Sequence, residues 1–183
     1  MKKFLMTIAA AFVAVSMNAQ NEMYVGGTLS FDSKYNYDSQ FKIAPEFGVK
    51  LNDEWGVGAI LSYTNTKYTT GTKANVFRFE PYARYYALNI GKVNVFVDGG
   101  VYFETTTNEP AGVGAKTTDN AFGLTVTPGI AFNLTEKISL VAHAPSLFNF
   151  DITSPDGGDT GMKAKFLNTM HVDDFGFGFY YNF

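Results

Sequence analysis

The sequence predicts an all-β chain: eight antiparallel strands in up-and-down order, closed into a barrel that crosses a membrane. Three observations carry that expectation. From Phe175 to the last residue, Phe175, Phe177, Phe179, Tyr181 and Phe183 take every odd position, and Gly176, Gly178, Tyr180 and Asn182 the even ones. That period of two sends alternate side chains to opposite faces of a strand, and one face becomes a wall of rings for which lipid is the simplest cover. A hairpin unit with the same alternation occurs three times along the chain. Finally, charged residues make up 17% of the sequence, against about 25–35% for a surface meant for water, while 18 Gly, 18 Phe and 11 Tyr give a β-rich balance.

In chain order, Lys2 and Lys3 precede an apolar run from Phe4 to Val15 and a polar end at residues 16–20, the three-part pattern of a secretory signal peptide. The apolar part is shorter than the ~20 residues of a spanning helix, so residues 1–19 are expected to be a cleaved leader and residues 20–183 one barrel domain. Met23 to Phe31 supplies the first strand. The second runs from Gln40 to Asn52, with Phe41, Ile43, Pro45, Phe47, Val49 and Leu51 on one face and Lys42, Ala44, Glu46, Gly48 and Lys50 on the other. After the turn Asn52–Glu54, Trp55, Val57, Ala59, Leu61 and Tyr63 resume the apolar face. The unit returns from Phe77 to Ala87, turns at Asn89–Lys92 and continues to Phe103; a third copy runs from Phe122 to Leu134, turns at Thr135–Lys137 and returns to Ala142. Val172 to Phe183 is the eighth strand.

Each copy carries a proline seven or eight residues before its turn, at Pro45, Pro81 and Pro128, spaced by 36 and 47 residues. The extra length falls in Glu104–Asp119, whose Thr, Asn, Pro and Gly content marks a loop. Tight turns are thus expected at one end, and at the other the connections Asp32–Ser39, Thr64–Ala74, Glu104–Asp119 and Asp151–Asn168. A proline inside a strand removes a ladder donor, and a local bulge is the expected accommodation.

Together these features resemble the small eight-stranded bacterial outer-membrane barrels of the OmpX and OmpA-transmembrane-domain type. The likeness covers the whole chain after the leader. It implies a Gram-negative cell-envelope location, with both ends of the mature chain in the periplasm. Outer-membrane lipids and lipopolysaccharide would surround a monomer of this kind, and the assembly machinery would read the closing strand through Phe175, Phe177, Phe179, Tyr181 and Phe183. Members of that group include adhesion and resistance factors, anchors and a few lipid enzymes. The resemblance therefore implies an integral outer-membrane protein without enzymatic activity that displays external loops; the alternatives are a narrow porin-like channel or a lipid-modifying enzyme. The extra peptidoglycan-binding domain of OmpA has no counterpart up to Phe183.

The sequence offers little chemistry. There is no cysteine, which removes disulfides, thiol nucleophiles, thiolate metal sites and a lipidated cysteine. The formal charge of −3 falls further when Lys2 and Lys3 leave, which argues against a nucleic-acid partner. No cofactor is expected. His143 and His171 are the only histidines. Ser146 and Asp151 follow His143, but residues three apart on a strand face opposite ways, so Ser146 would face lipid unless Pro145 introduces a bulge. The favoured reading is a lumen histidine over Gly129, with no catalytic residue. His171 reads as interfacial. Asp151, Asp156 and Asp159 match no calcium-loop spacing, so a solvated acidic turn is expected and no metal site. Lys163 and Lys165 are candidates for lipopolysaccharide phosphates.

The inward face is richer. Eight strands enclose a space that side chains can fill, and charges there must pair. Setting Leu88 opposite Asn94 across the turn Asn89–Lys92 places Arg84 opposite Asp98, Glu80 opposite Tyr102 and Arg78 opposite Glu104. Lys42, Glu46 and Lys50 join them, and Gly56 and Gly58 make room for Tyr82 and Tyr86. A lumen charge network of Lys42, Glu46, Lys50, Arg78, Glu80, Arg84, Asp98 and Glu104 is therefore expected to plug the barrel.

Overall fold

The computed structural model describes residues 22–34, 37–112, 114–155, 159–166 and 176–183. The expected leader, Asp156, His171 and Phe175 lie outside the described residues. Ten strand segments follow in order: β1 (Met23–Lys34), β2 (Tyr37–Lys50), β3 (Trp55–Lys67), β4 (Lys73–Ile90), β5 (Val93–Glu109), β6 (Thr117–Asn133), β7 (Ile138–His143), β8 (Phe148–Ser154), β9 (Gly161–Phe166) and β10 (Gly176–Asn182). Each of β1 to β6 pairs antiparallel with the next, and β10 lies between β7 and β1, which closes a ring of eight. β8 continues the seventh strand along the upper half of β6, with β9 beside it.

Alternation does the sorting. Leu29, Phe31, Phe77, Phe103, Phe122, Leu140, Phe177 and Phe179 stand exposed on the outside, while Tyr24, Glu46, Tyr82, Arg84, Phe96, Asp98 and Tyr180 are buried within. In water that outer surface would be untenable; in lipid it is the required one, because a closed ladder leaves no backbone edge unpaired in the hydrocarbon. At the turn end, Trp55 and Tyr85 meet with ring centroids 5.1 Å apart, as expected of an interfacial aromatic girdle.

The turns have local causes. Asn52 Oδ1 accepts the backbone N–H groups of Glu54 and Trp55 at 2.9 and 2.8 Å, and Thr135 Oγ1 accepts those of Lys137 and Ile138. Between β4 and β5 the strands run to Ile90 and Val93, leaving two residues; Gly91 takes a φ of 60° there, which a side chain disfavours.

Four expectations change. The Thr- and Asn-rich stretches foreseen as loops are largely strand: β3 reaches Lys67, β4 starts at Lys73, β5 reaches Glu109 and β6 starts at Thr117. Threonine suits a pleated surface even where both faces are wet, so the ladder continues past the ~9–11 residues that cross lipid. Pro45 and Pro81 bring no bulge. The β2–β3 ladder omits Ala44 and Pro45 but resumes in the same register, and the β4–β5 ladder does the same at Glu80 and Pro81; each loses a rung without gaining a residue. Leu88 lies opposite Val95, not Asn94, because a bulge between Tyr86 and Leu88 inserts Ala87. Beyond it Arg84 faces Asp98 and Arg78 faces Glu104. The fourth concerns Ser146. Gly129 pairs with His143 and Val126 with Phe148, so Ala144–Leu147 are four residues set against two, Thr127 and Pro128. That excess turns Ser146 into the lumen, where its hydroxyl lies 2.9 Å from Thr125 Oγ1 and 3.1 Å from Thr127 Oγ1.

A candidate functional site in the lumen

The strand register delivers Arg84 from β4, Asp98 from β5, Glu46 from β2, Tyr24 from β1 and Tyr180 from β10 to one level of the lumen. Arg84 is 1% exposed. Its Nε and Nη2 grip both oxygens of Asp98 at 2.7 and 2.8 Å, the two-pronged fit of a guanidinium to a carboxylate, and Nη2 also donates to Glu46 Oε1 at 2.9 Å. The guanidinium carbon lies 3.7 Å from the centroid of the Phe96 ring, which is itself wholly buried, so an aromatic face supports the cation on one side.

Tyrosine hydroxyls complete the carboxylate. Tyr180 donates to Glu46 Oε2 at 2.8 Å, and Tyr82 donates to Oε1 in a short contact. With its single hydrogen so committed, Tyr82 accepts from Tyr24 across 2.6 Å. The same count fixes His143: Tyr180 accepts at 3.1 Å from His143 Nε2, which therefore carries a hydrogen. His143 also stands edge-on to Phe96, 5.5 Å between centroids. No buried side-chain nitrogen or oxygen among the described residues lacks a partner.

Glycine makes the layer thin enough to fit. A Cβ on Gly48 would meet the Tyr24 ring at 2.2 Å, one on Gly58 the Tyr82 hydroxyl at 2.3 Å, and one on Gly129 the Phe96 ring at 2.3 Å. Each of these three rings thus lies on a neighbouring strand's glycine, the small-against-large filling of a narrow barrel. Gly56 is also close to Tyr86, at 3.5 Å.

The layer divides the interior. At the turn end is a cavity of about 830 Å³ that reaches Arg84, Tyr24 and Tyr180; at the other end one of about 260 Å³ reaches Glu46, Asp98 and His143. Lys42, Arg78, Glu80 and Glu104 line the second cavity. There Arg78 pairs with Glu80 at 2.6 Å and more loosely with Glu104 at 3.7 Å, and its guanidinium carbon lies 3.6 Å from the centroid of the Tyr102 ring. Lys50 belongs to the first cavity and pairs with Glu22 at 3.4 Å and Asp53 at 3.9 Å. The eight expected lumen charges therefore occupy three levels, of which the middle one, Glu46, Arg84 and Asp98, is buried.

The remaining candidates do not converge. Ser146 and His143 both line the smaller cavity, yet the serine is bonded to Thr125 and Thr127 and the imidazole to Tyr180; no hydrogen bond joins the two. Among the described residues no group of three or more His, Asp or Glu could hold a metal ion. Lys163 stands opposite Asp151 and Lys165 opposite Asn149, on the face of β9 away from the outward Met162 and Phe166. Phe177, Phe179, Tyr181 and Phe183 are all exposed on the outside. Sequence reasoning missed Tyr24, Phe96 and Tyr180 as parts of the layer. Their inward parity and the glycines on adjacent strands were the available signal.

Comparison with known proteins places this geometry. A family described as outer membrane protein beta-barrel domain matches residues 5–183. A major outer membrane protein from Thermus thermophilus superposes with a TM-score of 0.59 at 12% identity, covering 90% of this chain and 100% of that one. Neisserial surface protein A (NspA) gives 0.49 at 15% identity over 89% and 96% of the two chains. The N-terminal barrel domain of Pseudomonas aeruginosa OprF gives 0.45 at 17% over 89% and 96%. No curated protein matches the chain.

Proposed function

This chain belongs to the family of outer membrane protein β-barrel domains, and we propose that within it the protein is a non-enzymatic, self-plugged barrel that holds an array of connections at the cell surface. The family places it in the bacterial outer membrane. The observation that carries the plugged reading is the buried layer of Arg84, Glu46, Asp98, Phe96, Tyr24, Tyr82 and Tyr180 between the two cavities. Ion passage would require a buried guanidinium to leave two carboxylates, and such uncompensated charges cost several kcal/mol each, on the order of 3–5.

In this reading the short turns and both mature termini face the periplasm, and the extended ends of β3 to β6 and the β8–β9 hairpin face outward. The monomer sits directly among outer-membrane lipids and lipopolysaccharide. The assembly machinery reads the outward aromatics of β10. A narrow channel is the second reading, favoured by the approach of two cavities to one layer from opposite ends. Recordings from folded monomer in planar bilayers separate the two: the plugged barrel gives no steady current, and a stable, ion-selective current would establish the channel. For a lipid-modifying enzyme, the described residues offer Ser146 and His143, which are bonded to Thr125, Thr127 and Tyr180 and not to each other.

A further inference from the structure

The middle layer contains one guanidinium and two carboxylates, all nearly inaccessible: Arg84, Glu46 and Asp98 are 1%, 3% and 2% exposed. The level beyond it is balanced, with Lys42 and Arg78 against Glu80 and Glu104. The buried layer thus carries one negative charge that no fixed cation within it neutralises. Glu46 holds that charge in an unusual setting. It reaches the smaller cavity directly, and His143 Nε2 lies 3.9 Å from its Oε2. Through Tyr180 at 2.8 Å, and through Tyr82 and then Tyr24 at 2.6 Å, it is also bonded to two hydroxyls that line the larger cavity. Every link joins groups that can exchange roles as donor and acceptor.

We infer that Glu46 is an exchangeable proton site open to both cavities, so that the plug passes protons while excluding other ions. The inference rests on the plugged reading above. A proton from water in the smaller cavity adds to His143 Nδ1; the Nε2 hydrogen shifts to Tyr180 as the Tyr180 hydrogen passes to Glu46 Oε2. Glu46 is then a neutral acid and His143 a neutral imidazole. Rotation of the carboxyl lets it donate to Tyr82, whose own hydrogen moves to Tyr24, and the Tyr24 hydrogen leaves to water in the larger cavity. One proton enters, one departs, and no electron moves. The hydroxyls then turn back to Glu46, and His143, left with its hydrogen on Nδ1, regains the Nε2 tautomer by releasing that hydrogen to water in the smaller cavity and taking one from it at Nε2. Arg84 and Lys42 oppose the added charge; Asp98 and the unneutralised charge of Glu46 favour it.

The test uses the full chain folded into liposomes that enclose a pH-sensitive dye, with valinomycin and potassium to dissipate voltage. After an external acid step, wild-type vesicles should acidify faster than protein-free ones while chloride flux, read separately, stays at the lipid level. Glu46→Gln should lose the protein-dependent proton flux. It leaves Arg84 with Asp98 as a neutral pair, so folding is expected, and an unheated gel-mobility assay checks it. Tyr82→Phe combined with Tyr180→Phe keeps all charges and should lose the flux as well. Chloride flux from wild type would overturn the plug and the relay together. Chloride-tight vesicles that acidify only at the lipid rate, or a folded variant of either kind that conducts like wild type, would overturn the relay alone.

Discussion

Arg84 joins four strands through side-chain bonds alone: its own, and those of Asp98, Glu46 and Tyr180. Arg84→Ala strands both carboxylates in a dry layer, and truncating one partner of a buried ion pair typically costs about 3–5 kcal/mol. The unfolding midpoint in detergent should fall accordingly, and a midpoint within error of wild type would mean that the layer is wet. Glycine gives a sharper contrast. Gly129→Ala drives a methyl into the Phe96 ring, whereas Gly99→Ala adds one where nothing lies within 4 Å. Overpacking of this kind costs about 1–3 kcal/mol, so denaturant titration should show Gly129→Ala destabilised and Gly99→Ala unchanged. Inward parity alone made Arg84, Asp98 and Glu46 legible as lumen charges. That Glu46 shares Arg84 with Asp98, and that three tyrosines surround it, was not legible, because β1, β2 and β10 meet β4 only across the closed lumen and no two-strand ladder encodes that distance.

At the scale of elements, parity governs what can change. Ala144–Leu147 carry two residues more than the facing part of β6, and an even excess keeps Phe148, Phe150 and Ile152 outward. Deleting Pro145 and Ser146 together should leave a folded barrel that lacks only the bonds to Thr125 and Thr127. Deleting Ser146 alone would turn β8 inside out and should abolish heat-dependent gel mobility of the folded form; equal folding of the two deletions would show that β8 is not held by its facing. The closing strand invites a similar comparison. Phe183 is outward and 66% exposed, while Asn182 donates to Ser139 inside the lumen at 3.0 Å. Removal of Phe183 should reduce membrane insertion far more than Asn182→Ala, measured as the folded fraction in outer-membrane extracts. Strand count and facing could be read from alternation because the outer wall is continuously apolar. Strand ends could not: above the lipid both faces are polar, so the signal that reports a strand disappears while the ladder continues.

For the whole molecule the open question is which end faces out, since a barrel is closed whichever way it is inserted. The two ends differ physically. At one, strands stop within a residue or two of the outer aromatic band and join through turns of two to four residues, such as Gly91 and Lys92 between Ile90 and Val93. At the other, β5 alone is 17 residues long, well beyond the ~9–11 that cross the hydrocarbon, and the β8–β9 hairpin adds further surface. Insertion drags one set of connections across lipid, and the cost of desolvating polar backbone grows with their length. Yet bacterial barrels as a class carry their longer connections outside, since the short turns are the ones that remain with the assembly side. Protease added to intact cells should therefore cut within residues 110–116, next to the Lys116–Glu109 ion pair, and spare Lys92 and Lys137 until the outer membrane is opened. Cleavage after Lys137 in intact cells, with residues 110–116 protected, would invert the topology and place the larger cavity, with Lys50 at its wall, on the cell surface.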